Sequence, residues 1–326
     1  KTRRKWKEKL QGMFTQARGQ QQPGYGPSGL NDDQHRDGRN ARKAVEWLDK
    51  KSFGDKPFFI TVGIHKPHVP FIAPQKYFDL YPQQKLQFDL SPADDWDDIP
   101  PMAMVKRFGG FGFELGREND ALRREYTQAY HACVSFVDAQ IGLILDKLKS
   151  QKLWNDTIVI FTSDHGYHLG EHFMWGKVTL FEECARVPLI VRVPGVSPLG
   201  KTSQGLVETI DLFPTLAELC GLTAPAQLQG KSYVSLIRKP GGPGKPSAYT
   251  VVSRGTQLGR SIRTQRWRYA EWGEAKAAEL YDLQRDKREY TNLAKSPQHR
   301  NIVRQIKSRL AKRQAQAESA RSGTDK

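Results

Sequence analysis

Three short apolar runs, one long helical stripe and a late switch to alternating segments predict an α/β fold, followed by a small α+β subdomain, for this chain of 326 residues. The runs cover residues 58–64, 158–161 and 188–193, each bounded by turn residues, as expected of strands buried on both faces. The stripe is Tyr126, Tyr130, Cys133, Val137, Ile141, Ile144 and Leu148, recurring at three- and four-residue steps, so the segment 124–148 reads as a helix with one apolar face lying on the sheet. A composition of 38% hydrophobic and 10% aromatic residues supports a packed core, and the length suits one large domain with a smaller appendage. The expected division is 1–240 for the α/β part, 247–318 for the subdomain and 319–326 for a tail.

The elements follow in order. The first 35 or so residues are rich in Gln, Gly and Arg without a clear period, and read as loop that packs on something outside this chain. Ala41, Ala44, Val45 and Leu48 put a helix over 37–51. Lys56-Pro57 opens the first strand, which ends in His65-Lys66-Pro67-His68-Val69-Pro70, where proline stops the ladder and stiffens the turn. Residues 71–120, with Asp94-Asp95-Trp96-Asp97-Asp98 and Gly109-Gly110-Phe111-Gly112, read as a binding or lid loop. Asp211-Leu212-Phe213-Pro214 starts a further helix, with proline in its first turn and Gly221 past its end. From 247 onward, segments 250–253, 259–264, 267–270 and 279–283 alternate as in a small antiparallel sheet, and 297–315 form a basic helix on it.

A net charge of +16 raises the question of nucleic acid, but no zinc finger, RNP or helix-turn-helix pattern accompanies it, and a nucleic-acid partner is not expected. Much of the excess sits in the first nine residues and in 300–321, as a solvated face or tail. A basic surface also speeds encounter with sulfated or phosphorylated ligands. No apolar run is long enough for a membrane span, and the amino end has neither the apolar stretch of a signal peptide nor a methionine, so a piece of a longer precursor is expected. Cys133, Cys184 and Cys220 are too few for a disulfide framework and read as small buried residues.

The chemistry concentrates at two strand ends. Thr162-Ser163-Asp164-His165-Gly166 follows the second run, and ligands of open α/β sheets bind outside the carboxyl ends of strands. Asp164 and His165 are there as candidate metal ligands, with a capping aspartate and a structural histidine as the plain alternative. Lys177, in Trp175-Gly176-Lys177, lies on the next loop and suits an oxyanion beside the metal, unless it is simply solvated. His65 and His68 are candidates in the proline-stiffened turn. His168 and His172 are expected to orient the loop rather than to bind metal.

Segments 58–71, 126–148 and 161–172, then Lys177, Val187-Pro188-Leu189-Ile190, Thr209-Ile210-Asp211-Leu212-Phe213-Pro214-Thr215-Leu216 and Gly259-Arg260-Ser261-Ile262-Arg263-Thr264, resemble the type I sulfatases, most nearly their iduronate-2-sulfatase-like branch. The resemblance runs through most of residues 40–285 in the family's order. It implies an alkaline-phosphatase-like sandwich around a central, mostly parallel sheet, with 1–240 forming the carboxyl-terminal part of the catalytic domain. Asp164 then corresponds to a Ca2+ ligand and His165 to the neighbouring ligand position. Lys177 corresponds to the lysine that holds the sulfate, and His68 to the histidine beside the ester oxygen, with His65 in reserve.

The implied activity is hydrolysis of sulfuric esters on an anionic sulfated carbohydrate, with 2-O-sulfated uronic acid as one such substrate. The family's nucleophile is a formylglycine made from cysteine or serine followed by proline or alanine two residues later and arginine four later. Cys133-Val134-Ser135, Cys184-Ala185-Arg186 and Cys220-Gly221-Leu222 do not fit that pattern. The amino-terminal aspartate pair that completes the family's calcium site is not found either. The sequence therefore reads as the carboxyl-terminal two thirds of such an enzyme, inactive alone and dependent on the remainder of its own catalytic domain. A non-catalytic polyanion-binding relative and a phosphodiesterase or phosphonate hydrolase of the same superfamily are the competing readings. Family habit implies export to periplasm, cell exterior or lysosome.

Overall fold

Ala41, Ala44 and Leu48 form the buried stripe of helix α1, Arg36–Asp49, in the computed structural model of the chain. Described are residues 16–17, 20–21, 24–88, 90–105, 112–113, 115, 117, 119–273 and 277–322. The basic run of the first nine residues and Gly109-Gly110-Phe111 fall outside them. The chain divides into two compact units, 1–89 with 113–157, and 90–112 with 158–326.

In the first unit, strand β1, Tyr25–Pro27, pairs in parallel with β2, Phe71–Ala73, and the short helix α2, Gln75–Phe78, follows. The long helix α3 spans Asp120–Ser150, a little more than the periodicity predicts, because the Asn119 side chain accepts the Leu122 N–H at 3.3 Å and caps its start. Tyr126, Cys133, Phe136 and Val137 are buried on its inner face. Gln140 lies on that apolar face as well, and its polar atoms are used: its carbonyl accepts from Arg42 of α1 at 3.0 Å and its amide donates to Asp32 at 3.0 Å. Tyr77 of α2 donates to the same Asp32 carboxylate at 2.7 Å, so one acid ties α2 to α3.

Residues 58–64, expected as a buried strand, join no ladder among the described residues, and Phe59 is 79% exposed. An apolar run becomes a buried strand only when neighbours pair with it and cover it, and among the described residues none pairs with this one. The second and third runs do pair. Strand β3, Val159–Thr162, joins β6, Leu189–Arg192, antiparallel, yet Ile190 remains 63% exposed because a two-stranded ribbon leaves apolar surface uncovered.

Between them, β4, His168–Leu169, and β5, Trp175–Gly176, form a short antiparallel hairpin, and helix α4, Glu182–Ala185, precedes β6. Helix α5, Leu212–Leu219, begins after Asp211 as the sequence predicts, and α6, Val234–Arg238, leads to the carboxyl-terminal sheet. That sheet is a four-stranded antiparallel meander of β7, Ala248–Arg254, β8, Gln257–Arg263, β9, Trp267–Trp272, and β10, Ala277–Asp282. One face, through Ile262, Tyr269 and Leu280, buries Ile306 and Leu310 of helix α7, Arg300–Ser322. The other face, through Ala270, Trp272 and Tyr281, buries Met174, Leu180 and Phe181, together with Ile99, Ala103, Met104 and Val105. The stretch expected as part of a lid is thus core structure over 99–105, because its few apolar residues are the ones turned onto the sheet. Among the described residues, no helix is long and apolar enough to cross a membrane.

At the centre of this second face, Arg268 of β9 is 1% exposed, donates through Nε to Glu289, and lies 4.8 Å from the Phe181 ring and 4.7 Å from the Tyr281 ring. Removing one partner of a buried ion pair leaves the other charge without compensation. Arg268→Met is therefore expected to lower the unfolding free energy of the complete protein by about 3–5 kcal/mol in urea titration. A loss below about 1 kcal/mol would show that Arg268 does not anchor the sheet.

Candidate active site

Strand β3 ends at Thr162, and the chain turns through Ser163, Asp164 and His165 into Gly166. That turn requires glycine: the Gly166 N–H donates to the Cys184 carbonyl at 2.9 Å, and a Cβ at this position would lie 1.9 Å from the Glu183 carbonyl oxygen. The backbone of α4 thereby fixes the direction in which the Asp164 and His165 side chains leave.

Asp164 is 86% exposed at its side chain, and its Oδ1 accepts the His165 N–H at 3.0 Å. Its Oδ2 is 3.6 Å from His165 Nε2. Lys177 Nζ lies 2.9 Å from that same Nε2. An ammonium has only protons to give, so Nε2 is the acceptor, and the His165 proton sits on Nδ1, which donates to the Gly166 carbonyl at 2.7 Å. The structure thus brings Asp164, His165 and Lys177 together, with the ammonium on the imidazole and the imidazole beside the carboxylate. The backbone on either side of Lys177 is unusual, with φ of 139° at Gly176 and 68° at Val178. Positive φ at a β-branched residue is a genuine outlier, and such strain gathers at functional sites.

His65 and His68 lie in the other unit, stacked with ring centroids 4.6 Å apart. Their turn is built by two residues that sequence reasoning missed. The buried Asp37 of α1 accepts the His65 N–H at 2.9 Å and the Lys66 N–H at 2.8 Å, one on each carboxylate oxygen. Lys66 donates its ammonium to the His68 carbonyl at 3.1 Å and to the Pro70 carbonyl. Burial lowers the Lys66 pKa below the usual lysine range. The Lys66-Pro67 and Val69-Pro70 peptides are both cis. Burial first, then the neighbouring His68 and Lys66, lowers the His65 pKa, so its ring is neutral at neutral pH. His68 Nδ1 donates to the Val69 carbonyl at 2.7 Å once its proton is on that nitrogen. The signal for Asp37 was present in the sequence: a carboxylate four residues before Ala41 falls on the buried stripe of α1, where an acid must have partners.

The sequence profile of the Sulfatase family matches residues 7–222, and that described as N-sulphoglucosamine sulphohydrolase, C-terminal, matches residues 170–316. The chain belongs to the sulfatase family. It is 34% identical over 278 residues to a sulfatase of Formosa agariphila, covering 84% of this chain and 54% of that protein. With the human iduronate 2-sulfatase the identity is 31% over 306 residues, covering 72% of this chain and 56% of that one. The chain therefore spans little more than half the length of these relatives. Among solved structures, the phosphonate monoester hydrolase of Agrobacterium radiobacter superposes with a TM-score of 0.76 at 25% identity, covering 90% of this chain and 64% of that one. The fold is the alkaline-phosphatase-like one expected for the family, with the small antiparallel sheet at its carboxyl end.

Two groups associated with sulfatases can be tested against these residues. A calcium ion takes about six to eight oxygen ligands. Asp164 offers an exposed carboxylate in a place that already attracts an ammonium, which fits a share of such a site; among the described residues no cluster of three or more metal-ligating side chains occurs. Formylglycine does not fit the cysteines of this chain. Cys133 and Cys184 are buried, and burial pushes their thiols up to about 12 and about 11, while Cys220, expected to be buried, is exposed at the end of α5 without the required sequence around it.

The role of Asp37 is directly measurable. Asp37→Ala removes the acceptor of two backbone N–H groups, so amide exchange at His65 and Lys66 should accelerate by at least about tenfold. Unchanged protection at both amides would show that the turn does not depend on Asp37.

Proposed function

We propose that this chain is the carboxyl-terminal part of a sulfuric ester hydrolase acting on sulfated sugars, with 2-O-sulfated uronic acid residues as the substrate class. The observation that carries this reading is the Lys177 ammonium, held at 2.9 Å from His165 beside Asp164 and followed by the strained backbone of Val178. The naming of two relatives as iduronate 2-sulfatases supports the substrate class.

Lys177 binds a sulfate oxygen, and its charge becomes worth more as the oxygens gain negative charge in the transition state. Asp164, with His165 at its side, would contribute to holding a calcium ion, which when bound would supply Lewis-acid polarisation of the sulfate oxygens. His165, with Nδ1 committed to Gly166, presents Nε2 towards the cationic position. His68 gives the proton to the departing sugar alcohol. It is chosen over His65 because burial at His65 disfavours the protonated ring that a general acid needs. No nucleophile is assigned to this chain, and turnover belongs to the complete polypeptide.

In that complete polypeptide, Lys177→Ala should lower kcat on an aryl sulfate by roughly a hundred- to a thousand-fold, the effect of losing one charge-stabilising donor, with the melting temperature nearly unchanged. A loss under about threefold together with a sharp fall in melting temperature would make Lys177 a structural residue.

A further inference from the structure

The loop that delivers Lys177 turns repeatedly through positive φ, and three of its residues are strained there. Gly170, His172, Phe173, Gly176 and Val178 all have positive φ, with His172 at 54° and Phe173 at 51°. Each such conformation at a residue other than glycine costs on the order of 1–3 kcal/mol and persists only where the surroundings over-determine it.

The surroundings that do so converge on His172, which is fully buried. Its Nδ1 lies 3.0 and 3.1 Å from the two oxygens of the equally buried Asp95 side chain. Its N–H donates to Ser91 Oγ at 2.8 Å, and its carbonyl accepts from the Trp96 indole at 2.5 Å. The ring stacks on Phe181 at 4.2 Å. Backbone and side chain of one residue are thus gripped by residues 91–96. Three residues later Trp175–Gly176 begins, paired across the hairpin to His168–Leu169, and Lys177 follows. On the far side, His168 Nε2 and Thr179 Oγ1 are 2.8 Å apart.

A structural role alone does not account for this choice of side chain. His172 Nε2 is buried with no hydrogen-bond partner, a cost that an apolar ring of the same shape would avoid. What only histidine brings is the charge-assisted bond to Asp95. Although burial works against a charged ring, that bond raises the His172 pKa above its ordinary value.

We propose that Asp95 and His172 are a positioning pair for Lys177: the carboxylate locks the imidazole, the locked residue fixes the strained loop, and the loop sets the ammonium where the sulfate is bound. This rests on the reading of Lys177 as the sulfate-binding residue. Neither side chain touches substrate.

The test is a double-mutant cycle in the complete enzyme, reading kcat/KM and kcat on an aryl sulfate, with thermal unfolding as the control for folding. Asp95→Asn, which keeps the shape and removes the charge, should lower kcat/KM by about tenfold or more. Added to Lys177→Ala, it should cost less than about threefold further, because the group it positions is gone. Fully multiplicative losses with a substantial Lys177→Ala effect would overturn the pairing while leaving the sulfatase reading intact. A Lys177→Ala variant with undiminished turnover would overturn both. Should Asp95→Asn not fold, the same cycle on His172→Asn, whose amide replaces the Nδ1 donor, reads the same coupling.

Discussion

The second unit depends on a charge placed where no charge is cheap. Arg268 points from the centre of β9 into a layer of aromatic rings, and it is tolerated because Glu289 accepts its Nε–H and Glu279 lies 3.5 Å from its Nη2. Glu289 adopts φ of 61° to reach it, a conformation that must be imposed from outside the residue. Its second oxygen accepts the Glu182 N–H at 2.8 Å, so the ion pair fastens the start of α4 to the sheet. Glu279 is used as fully, accepting from the Trp272 indole at 2.6 Å and the Tyr281 hydroxyl at 3.1 Å.

The site hangs from that fastening. Once Glu182 is fixed, the Glu183 and Cys184 carbonyls are fixed with it, and these crowd and hydrogen-bond Gly166. The direction of Asp164 and His165 follows from Gly166. On the other side of α4, Phe181 packs on Arg268 and on His172, which links the sheet to the loop that carries Lys177. Two routes from one buried guanidinium thus reach the two halves of the proposed anion site, one through α4 to the Asp164 turn and one through Phe181 to the lysine loop. A small antiparallel subdomain at the end of the chain is in this way part of the machinery that shapes the site.

What the sequence discloses follows from how local each signal is. The helix stripes of α1 and α3 and the alternation of β7 to β10 are properties of single segments, and they appear in the structure close to where the periodicity puts them. The apolar run at 58–64 is different, because its burial depends on neighbours that periodicity cannot supply, and in the described residues it stays unpaired. Cys220 failed as a buried residue for a related reason, since it lies at the exposed end of α5 past the last buried turn. At the candidate site, Asp164 and His165 are legible from a strand end and Lys177 from the loop that follows it. Asp37 and Asp95 were not, since each acts by bonding a segment far away in sequence, although an acid on the buried stripe of α1 and an acid beside a tryptophan in a loop are both marks to look for.

In the proposed reaction, one lysine, one divalent cation site and a histidine suit an ester with a single negative charge, whereas a phosphate monoester mostly carries two. The fold does not decide this, since a phosphonate monoester hydrolase shares it. The ratio of kcat/KM for an aryl sulfate and the matching aryl phosphate does, measured on the complete protein with its nucleophile matured. A preference for sulfate of at least about a hundredfold is expected, or roughly 2.7 kcal/mol of transition-state stabilisation. A preference for phosphate, or activity restored by zinc and not by calcium, would contradict it.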